Sequence, residues 1–246
     1  TELSLNGGFT ITNPVITNGN NEQRGTFSDG TNAGLTLDSG IVLTCGRVDT
    51  AFNNTSDVLA SDIVQTTSYN DPDLTAINLS SNNDAVVFEF DFTISGTEPK
   101  IFALDYHFAS DEYPTYVCSN WNDIFGFFVS GGDLAGTSNL AQVNGSHVAV
   151  NFVNSGTVGS SGDAILYPCE LTNSSQFVYN GDGVTAGTHH MAYNGFTTKL
   201  RAYTVLRPGI AYHMKMAIAD TGDGVYDSGI FIAPIKIFDL PPKSDI

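Results

Sequence analysis

The chain has 246 residues and is strongly acidic, with 26 Asp and Glu against 9 Lys and Arg and a formal net charge of −17. This balance argues against nucleic acid as a partner, because phosphate contacts need a basic surface, and it disfavours direct binding to anionic membranes for the same reason. Twenty of the acids are Asp, a residue that prefers turns and caps to helix interiors. The acids are therefore expected in loops, where they either ligate calcium or only form turns and an acidic surface.

The first third of the chain predicts short strands separated by turns. Apolar pieces at residues 9–12 and 40–44 lie between turn signals rich in Asn and Gly. Residues 51–84 carry few large apolar side chains and are predicted to form a long surface loop with one short helix near residues 56–63.

Stronger strand patterns begin after this loop. Residues 86–94, 101–108 and 147–153 alternate apolar and polar side chains, as half-buried strands do. Residues 124–129 are continuously apolar and are expected in the middle of a sheet. One face of the second strand is predicted to carry Phe102, Leu104, Tyr106 and Phe108.

The remaining chain predicts a second long loop region over residues 154–195 and then three strands, at residues 197–206, 211–219 and 229–238. Pro234 lies inside the last of these and suggests an edge strand or a bulge. Because no amphipathic pattern longer than about two helical turns is found, the sequence predicts an all-β, jelly-roll-like β-sandwich with long loops and at most short helices.

A single ligand-binding domain over residues 1–240 is expected, because sandwiches of this size commonly form one domain. Residues 241–246 are interpreted as the start of a linker. There is no signal peptide and no apolar run of membrane length. Because the chain opens without Met and ends in a linker-like segment, we expect a monomeric, extracellular domain of a larger protein. The three cysteines contain no C-x-x-C pair, which disfavours zinc, and the sequence leaves open whether Cys118 and Cys169 pair.

Two acidic clusters lie in loops between strong strands, one in residues 108–131 and the other in residues 220–227. Calcium takes six to eight hard oxygen ligands, mostly carboxylates, amides and backbone carbonyls. We therefore expect the two loops to meet at one end of the sandwich and to hold calcium. The candidate ligands are Asp111, Glu112, Asn122, Asp123, Asp220, Asp223 and Asp227.

Two other interpretations of these residues remain. Asp220 and Asp223 would only cap a hairpin turn if no metal binds. An enzyme is disfavoured because adjacent Asp111 and Glu112 point to opposite faces of an extended segment, and because neither G-x-S-x-G nor H-E-x-x-H occurs. The five histidines are dispersed and are interpreted as solvated or sheet-packed. Aromatic residues near the acids either cap the core or form a ligand platform; they are Tyr113, Tyr116, Trp121 and Tyr226.

Several motifs resemble the choice-of-anchor L family of bacterial surface proteins, in the family's order and over most of the chain. Among them are Gly40-Ile-Val-Leu-Thr-Cys-Gly46, Phe108-Ala-Ser-Asp-Glu-Tyr113, Trp121-Asn-Asp-Ile-Phe-Gly-Phe-Phe-Val-Ser-Gly131, Tyr193-Asn-Gly-Phe-Thr-Thr198 and the segment at residues 212–228. More narrowly, the chain is similar to the calcium-dependent peptide-binding domain of long RTX adhesins.

That resemblance implies a function. A bound calcium would contact the free C-terminal carboxylate of proteins on another cell, and the domain would support cell adhesion and biofilm formation at the bacterial surface. The acidic residues named above match the family's ion ligands. The resemblance also implies that Tyr113, Trp121 and Tyr226 line the ligand groove. Asn194, where the family often has Asp, is also assigned to ligand binding. The alternatives are a calcium-dependent lectin that binds glycans and a structural domain that calcium only stiffens.

Overall fold

The structure is a computed structural model, and it describes residues 3, 8–49, 70–181 and 189–241. The helix predicted near residues 56–63 lies outside these residues, as does most of the predicted linker. Within the described part of the chain, strands dominate and the single α-helix has six residues. The predicted all-β class with at most short helices is confirmed.

The described strands follow one another from the N-terminal to the C-terminal end. They are β1 (Phe9–Asn18), β2 (Arg24–Phe27), β3 (Gly40–Thr44), β4 (Ser81–Ile94), β5 (Lys100–Ser110), β6 (Ile124–Gly131), β7 (Ser138–Asn139), β8 (Gln142–Val143), β9 (Ser146–His147), β10 (Phe177–Tyr179), β11 (Gly195–Thr197), β12 (Leu200–Leu206), β13 (Ala211–Thr221), β14 (Ser228–Ile232) and β15 (Lys236–Asp239). The helix α1 (Pro72–Ile77) precedes β4.

Two antiparallel sheets form the sandwich. The first has the order β1-β4-β13-β6-β7, and the second has the order β10-β11-β5-β14-β3-β2, with β12 and β15 also pairing with β5. A separate hairpin joins β8 and β9. Aromatic rings from the two sheets meet in the core: Phe92 stacks on Phe102 with a centroid distance of 4.8 Å, and Tyr106 meets Phe127 edge-on at 5.1 Å.

The apolar patterns read from the sequence form two core strands, β5 and β6, although β5 is buried on both faces from Phe102 to Ser110 and is not half-buried as predicted. In β5 the side chains of Phe102, Leu104, Tyr106 and Phe108 are fully buried. The β6 run is flanked on both sides, by β13 and β7, as a buried apolar strand should be. Alternating side chains of two facing sheets therefore fill the space between them.

The prediction of a strand over residues 147–153 is wrong. Strand β9 ends at His147, and beyond it only an isolated bridge joins Ala149 to Ile124. The amides of Phe152 and of the residue after it both donate to the Ala149 carbonyl, which closes a turn. The apolar side chains alternate because a coiled segment packs them inward, and periodicity alone does not distinguish this from a strand.

Three boundaries also differ from the prediction. Strand β4 begins at Ser81, inside the predicted loop over residues 51–84, because it pairs with the far end of β13. Residues 198–199 separate β11 from β12. Pro234 divides the last predicted strand into β14 and β15, which both pair with β5, since proline cannot donate to a ladder.

The strand ends bring the two acidic loops together. Ser110 at the end of β5 pairs with Ser228 at the start of β14, and Ile124 at the start of β6 pairs with Ala219 near the end of β13. Both loops therefore leave the sandwich at the same end, as the sequence predicted.

Candidate functional site

The acidic pair after β5 is held in place by backbone and amide contacts. The Asp111 amide donates to the Asp227 carbonyl at 3.2 Å, which joins the two loops directly. Asn194 donates its backbone N–H to Asp111 Oδ1 at 3.0 Å and its side-chain Nδ2 to the Asp111 carbonyl at 2.8 Å. Asn194 is largely buried. Its contacts therefore orient Asp111, and the predicted direct contact of Asn194 with a ligand does not fit this placement.

Asp123, in the first loop, is hydrogen-bonded to residues at both ends of the second loop. Its Oδ1 accepts from the Thr221 amide at 2.9 Å, and its Oδ2 accepts from the Ser228 hydroxyl at 2.7 Å. The neighbouring Asn122 accepts from the Asn151 amide at 2.7 Å through its Oδ1 atom. Both side chains are therefore oriented by main-chain and hydroxyl donors, and Asp123 is fully buried.

The three aspartates of the second loop occupy different positions. Asp220 and Asp227 are buried, whereas Asp223 is exposed. Asp223 accepts from the Trp121 indole Nε1 at 2.7 Å and from the Val225 amide at 3.1 Å. Asp223 therefore belongs to the surface of the site, and the other two belong to its interior.

Burial shifts the ionisation of these acids strongly. Burial, followed by the charges of neighbouring carboxylates, raises the pKa of Glu112 to about 11. Burial raises the pKa of Asp123 to about 7, although its hydrogen bonds oppose the shift, and it raises the pKa of Asp220 well above the usual value. The Oε2 atom of Glu112 is buried and accepts no hydrogen bond. A buried carboxylate oxygen without a donor costs free energy that a bound cation would remove.

The donor set fits a hard divalent cation. All candidate side chains offer oxygen, as calcium requires, and no ion pair among the described residues involves Glu112, Asp123 or Asp220. In the described part of the chain, however, no three His, Cys, Asp or Glu side chains are already arranged to hold a metal ion. Repulsion between carboxylates without a counter-ion opposes such an arrangement.

Three aromatic side chains form a rim beside the acids, and we call them the aromatic rim: Tyr116, Trp121 and Tyr226. The rings of Tyr116 and Trp121 have centroids 5.1 Å apart, and those of Tyr116 and Tyr226 are 5.6 Å apart. All three are half-buried, so part of each ring faces solvent. Tyr226 has a φ of 66°, an uncommon conformation for a side chain of its size.

Tyr113 does not belong to this rim. Its side chain is fully buried, its hydroxyl donates to the Val153 carbonyl, and its ring packs on Phe177 at 4.7 Å. The predicted contact of Tyr113 with a ligand does not fit this position, because proximity in sequence to Asp111 and Glu112 does not place its ring on the same side.

A cavity of about 320 Å³ adjoins the site on the side of Asn122. Its polar lining includes Asn120 and Asn151, and its aromatic lining includes Phe152 and Tyr167. No pattern in the sequence marks this cavity, because its walls come from four separate segments.

Sequence reasoning missed three residues that contact or border the acids: Asp84, Cys45 and Gly46. Asp84 is buried, and burial raises its pKa to about 6. Cys45 is a buried free thiol whose pKa is raised by burial and then by Asp220. A Cβ atom at Gly46 would lie 1.8 Å from Asp227 Oδ2, so only glycine leaves room for that carboxylate. Tyr116 was noted as aromatic but was not assigned to the site.

The histidines lie away from this site or serve other contacts. His107 is buried and bonds through Nδ1 to the Thr197 carbonyl at 2.7 Å. His213 lies on the outer face of β13 between Asp91 and Glu89, at 2.8 and 2.9 Å. Both positions agree with the interpretation of these two residues as sheet-packed or solvated.

Comparison with known families identifies the family of the chain. The Choice-of-anchor L domain family matches residues 1–235, and the chain therefore belongs to that family. Choice-of-anchor domains occur in surface or secreted proteins, which places this domain outside the cell or at its surface. No curated protein matches the chain. Among the described residues, no helix is both long and apolar enough to cross a membrane.

Proposed function

We propose that the two acidic loops bind calcium and that the ion holds a ligand. The observation that carries this proposal is the buried Glu112 carboxylate, which lacks a hydrogen bond at Oε2 and is surrounded by further carboxylates. Calcium would be held by Glu112, Asp111, Asp123, Asp220 and Asp227, with Asn122 and Asp223 nearer the surface. The bound ion supplies a positive charge at an otherwise acidic surface.

The ligand we propose is the free C-terminus of peptides or proteins on other cells. The domain would act as a binding module of an RTX-type bacterial surface adhesin, in cell adhesion and biofilm formation, rather than as an enzyme. A domain of charge −17 repels an anionic chain end unless a cation lies between them. The aromatic rim offers rigid contact area for the side chains that precede the carboxylate.

Calorimetric titration with short peptides tests this proposal. Peptides with a free C-terminal carboxylate should bind in calcium, and binding should disappear in chelator. Amidation of the C-terminus should weaken binding by at least about tenfold, or roughly 1.4 kcal/mol, because the charge that faces the ion is lost. Equal binding of free and amidated peptides would contradict the proposal, and binding of neither peptide would leave the structural alternative, a domain that calcium only stiffens.

Removal of a rim side chain should weaken the same peptide. Tyr116→Ala deletes the ring that contacts both Trp121 and Tyr226, and truncation of an aromatic contact residue commonly costs more than about 1 kcal/mol. We expect about five- to tenfold weaker peptide binding with unchanged calcium affinity. Tyr203→Ala is the matched control, because Tyr203 is 65% exposed on β12, outside the acidic loops. Equal effects of both variants would argue against the rim.

Gly46→Ala should weaken calcium binding. Its Cβ would overlap Asp227 Oδ2, so the carboxylate must move, and overpacking of this kind costs about 1–3 kcal/mol. We expect at least about fivefold lower calcium affinity by calorimetry. Gly25→Ala is the control, since its Cβ would meet only ordinary contact with Val48 at 3.4 Å. An unchanged calcium affinity in Gly46→Ala would remove Asp227 from the ligand set.

A calcium-dependent lectin is the second candidate, and the adjoining cavity is the observation that favours it. Sugar hydroxyls both donate and accept hydrogen bonds, as the amides of Asn120, Asn122 and Asn151 do. The rings of Phe152 and Tyr167 would pack on the apolar face of a sugar. Competition by free sugars, but not by peptides, in a glycan-binding assay would replace the peptide proposal with this one.

A further inference from the structure

The buried carboxylates divide into two groups that share two members. The neighbouring charges that raise the pKa of Glu112 are those of Asp123, Asp223, Asp111 and Asp227. The neighbouring charges that raise the pKa of Asp220 are those of Asp123, Asp227 and Asp84. Asp123 and Asp227 are thus neighbours of both an outer group around Glu112, with the exposed Asp223, and an inner group around Asp220, with Asp84.

A β-bulge builds the inner group. In the pairing of β4 with β13, Ile218 is opposite Val86, but Asp220 is opposite Asn83. Asp84 and Ala85 therefore both face one residue of β13, which is the two-against-one count of a bulge. Asp84 has a φ of 45°, a conformation that costs free energy for a residue other than glycine. The bulge turns the Asp84 side chain out of the normal strand alternation and towards Asp220.

A second contact fixes the same place from the other sheet. Gln23 donates its Nε2 to the Cys45 carbonyl at 2.7 Å and to the Asp84 carbonyl at 2.9 Å. The thiol of Cys45 then lies beside Asp220. The bulged strand and the end of β3 are therefore held together around a buried acidic space.

Two buried oxygens in this region, one from Asp84 and one from Thr221, have no hydrogen-bond partner. Asp84 is only 3% exposed, yet its Oδ2 accepts no hydrogen bond, and the buried Thr221 hydroxyl also has no partner. A carboxylate that only stabilised the bulge would be expected to accept hydrogen bonds at both oxygens, because an unpaired buried acceptor loses its hydration without compensation. The buried, unpaired Asp84 oxygen, which the bulge places beside Asp220, favours cation binding at this point.

We propose a second divalent-cation position at the inner end of the acidic cluster, held by Asp84 and Asp220 and sharing Asp123 and Asp227 with the outer position at Glu112. The ion is calcium, because the donors are carboxylate and hydroxyl oxygens. This inference rests on the proposed function only in taking calcium as the ion of the cluster. The inner ion stabilises the junction of β4 and β13, whereas the outer ion faces the ligand.

Native mass spectrometry of the folded protein counts the ions directly. We expect two calcium ions in the natural sequence, one in Asp84→Asn and one in Glu112→Gln. Asp84→Asn keeps the size of the side chain and should keep peptide binding within about threefold, whereas Glu112→Gln should lose it. Asp38→Asn, a change at an exposed acid far along the chain from both loops, is the control and should keep both ions.

The outcomes separate this inference from the proposed function. One ion in the natural sequence, unchanged in Asp84→Asn, overturns the inner position and leaves the calcium-dependent function standing. No ion in the natural sequence overturns both. Loss of both ions in folded Asp84→Asn shows one shared site and also overturns the inner position.

Labelling of Cys45 gives a second measurement that does not depend on the Asp84 variant. Cys45 is the one free thiol of the chain, since the other two cysteines form a disulfide. Calcium should slow its reaction with a thiol reagent at least about tenfold in the natural sequence. The same protection should persist in Glu112→Gln, because the inner ion remains. Protection that disappears in Glu112→Gln would overturn the separate inner position.

Discussion

In calcium-free buffer, the domain should lose stability as the pH rises from 5 to 8, and Glu112→Gln should make this loss smaller. Burial and neighbouring carboxylates raise the folded-state pKa of Glu112 to about 11 from the usual 4.5. Above pH 4.5 the unfolded chain therefore releases this proton while the folded chain keeps it. Stability then falls with rising pH by up to about 1.4 kcal/mol per pH unit for this one group. Asp123 and Asp84, whose pKa values are raised to about 7 and about 6, act in the same direction.

The variant is needed because other groups titrate in the same range. Burial lowers the pKa of His107 and of His147, so these side chains destabilise the folded state as the pH falls through their usual value of 6.5. The pKa of His213 is raised by its contacts with Asp91 and Glu89, despite partial burial, and its stabilising contribution is lost as the pH rises. These three contributions are the same in both proteins. Urea unfolding from pH 5 to 8 measures how the free energy of unfolding of each protein changes with pH. Equal slopes for the natural sequence and Glu112→Gln would contradict a buried, protonated Glu112.

Calcium should stabilise the domain much more at pH 8 than at pH 5, because protons compete with the ion for the carboxylates. At one hundred times the dissociation constant, one ion adds about 2.7 kcal/mol to the free energy of unfolding. For a chain of this size that corresponds to a rise in Tm of roughly 5–11 °C. Thermal unfolding in calcium and in chelator measures the shift. A Tm that does not respond to calcium at pH 8 would remove the basis of the proposed function.

Replacement of both Cys118 and Cys169 by serine should cost about 4 kcal/mol. The bond between them spans 51 residues, and closing a loop of that length restricts the unfolded chain by about this amount. Cys118 lies between the two acidic pairs of the first loop, and its amide donates to the Asn151 side chain at 2.7 Å. We therefore expect weaker calcium binding as well, because the segment that carries Asn122 and Asp123 loses its covalent anchor.

Reductant provides the control for this variant. Cys45→Ala removes the free thiol and keeps the bond, so its stability should still fall when reductant is added. The double serine variant should not respond to reductant. Denaturant unfolding with and without reductant distinguishes the cases, and equal stability of the double variant and the natural sequence would contradict the expected contribution. A structural disulfide also suits the surface or secreted location of the family, where conditions are oxidising.

The strand content was predictable because burial imposes a local pattern. The alternation of β5 and β13 appears in the sequence and on the core faces of both strands, since the core face of a strand takes every second residue. The same rule failed at residues 147–153, where a coiled segment with one isolated bridge buries consecutive side chains from Val148 to Asn151. It failed again at Ser81, where the strand exists because it pairs with the distant end of β13.

Some features of the candidate site were likewise predictable from the sequence, and others were not. Dense carboxylates in two loops between apolar strands were visible in the sequence, and the structure brings these loops to one end of the sandwich. The sequence did not separate Tyr113, which packs in the core, from Tyr116, which reaches the rim. The hydrogen bonds of Asn194 to Asp111 show an orienting contact that only the fold defines.

By itself, the sequence determined the class of fold, the family and the two acidic loops, because these depend on residue type and short-range order. Only the tertiary structure decided which oxygens are buried, which carboxylates face each other and which ring remains exposed. Asp84 is the clearest case: its strand pairs with β13 across more than one hundred residues of chain, and a bulge in that pairing turns its side chain towards Asp220. Register and bulges arise from contacts between distant strands, so no local pattern around Asp84 marks it as part of the site.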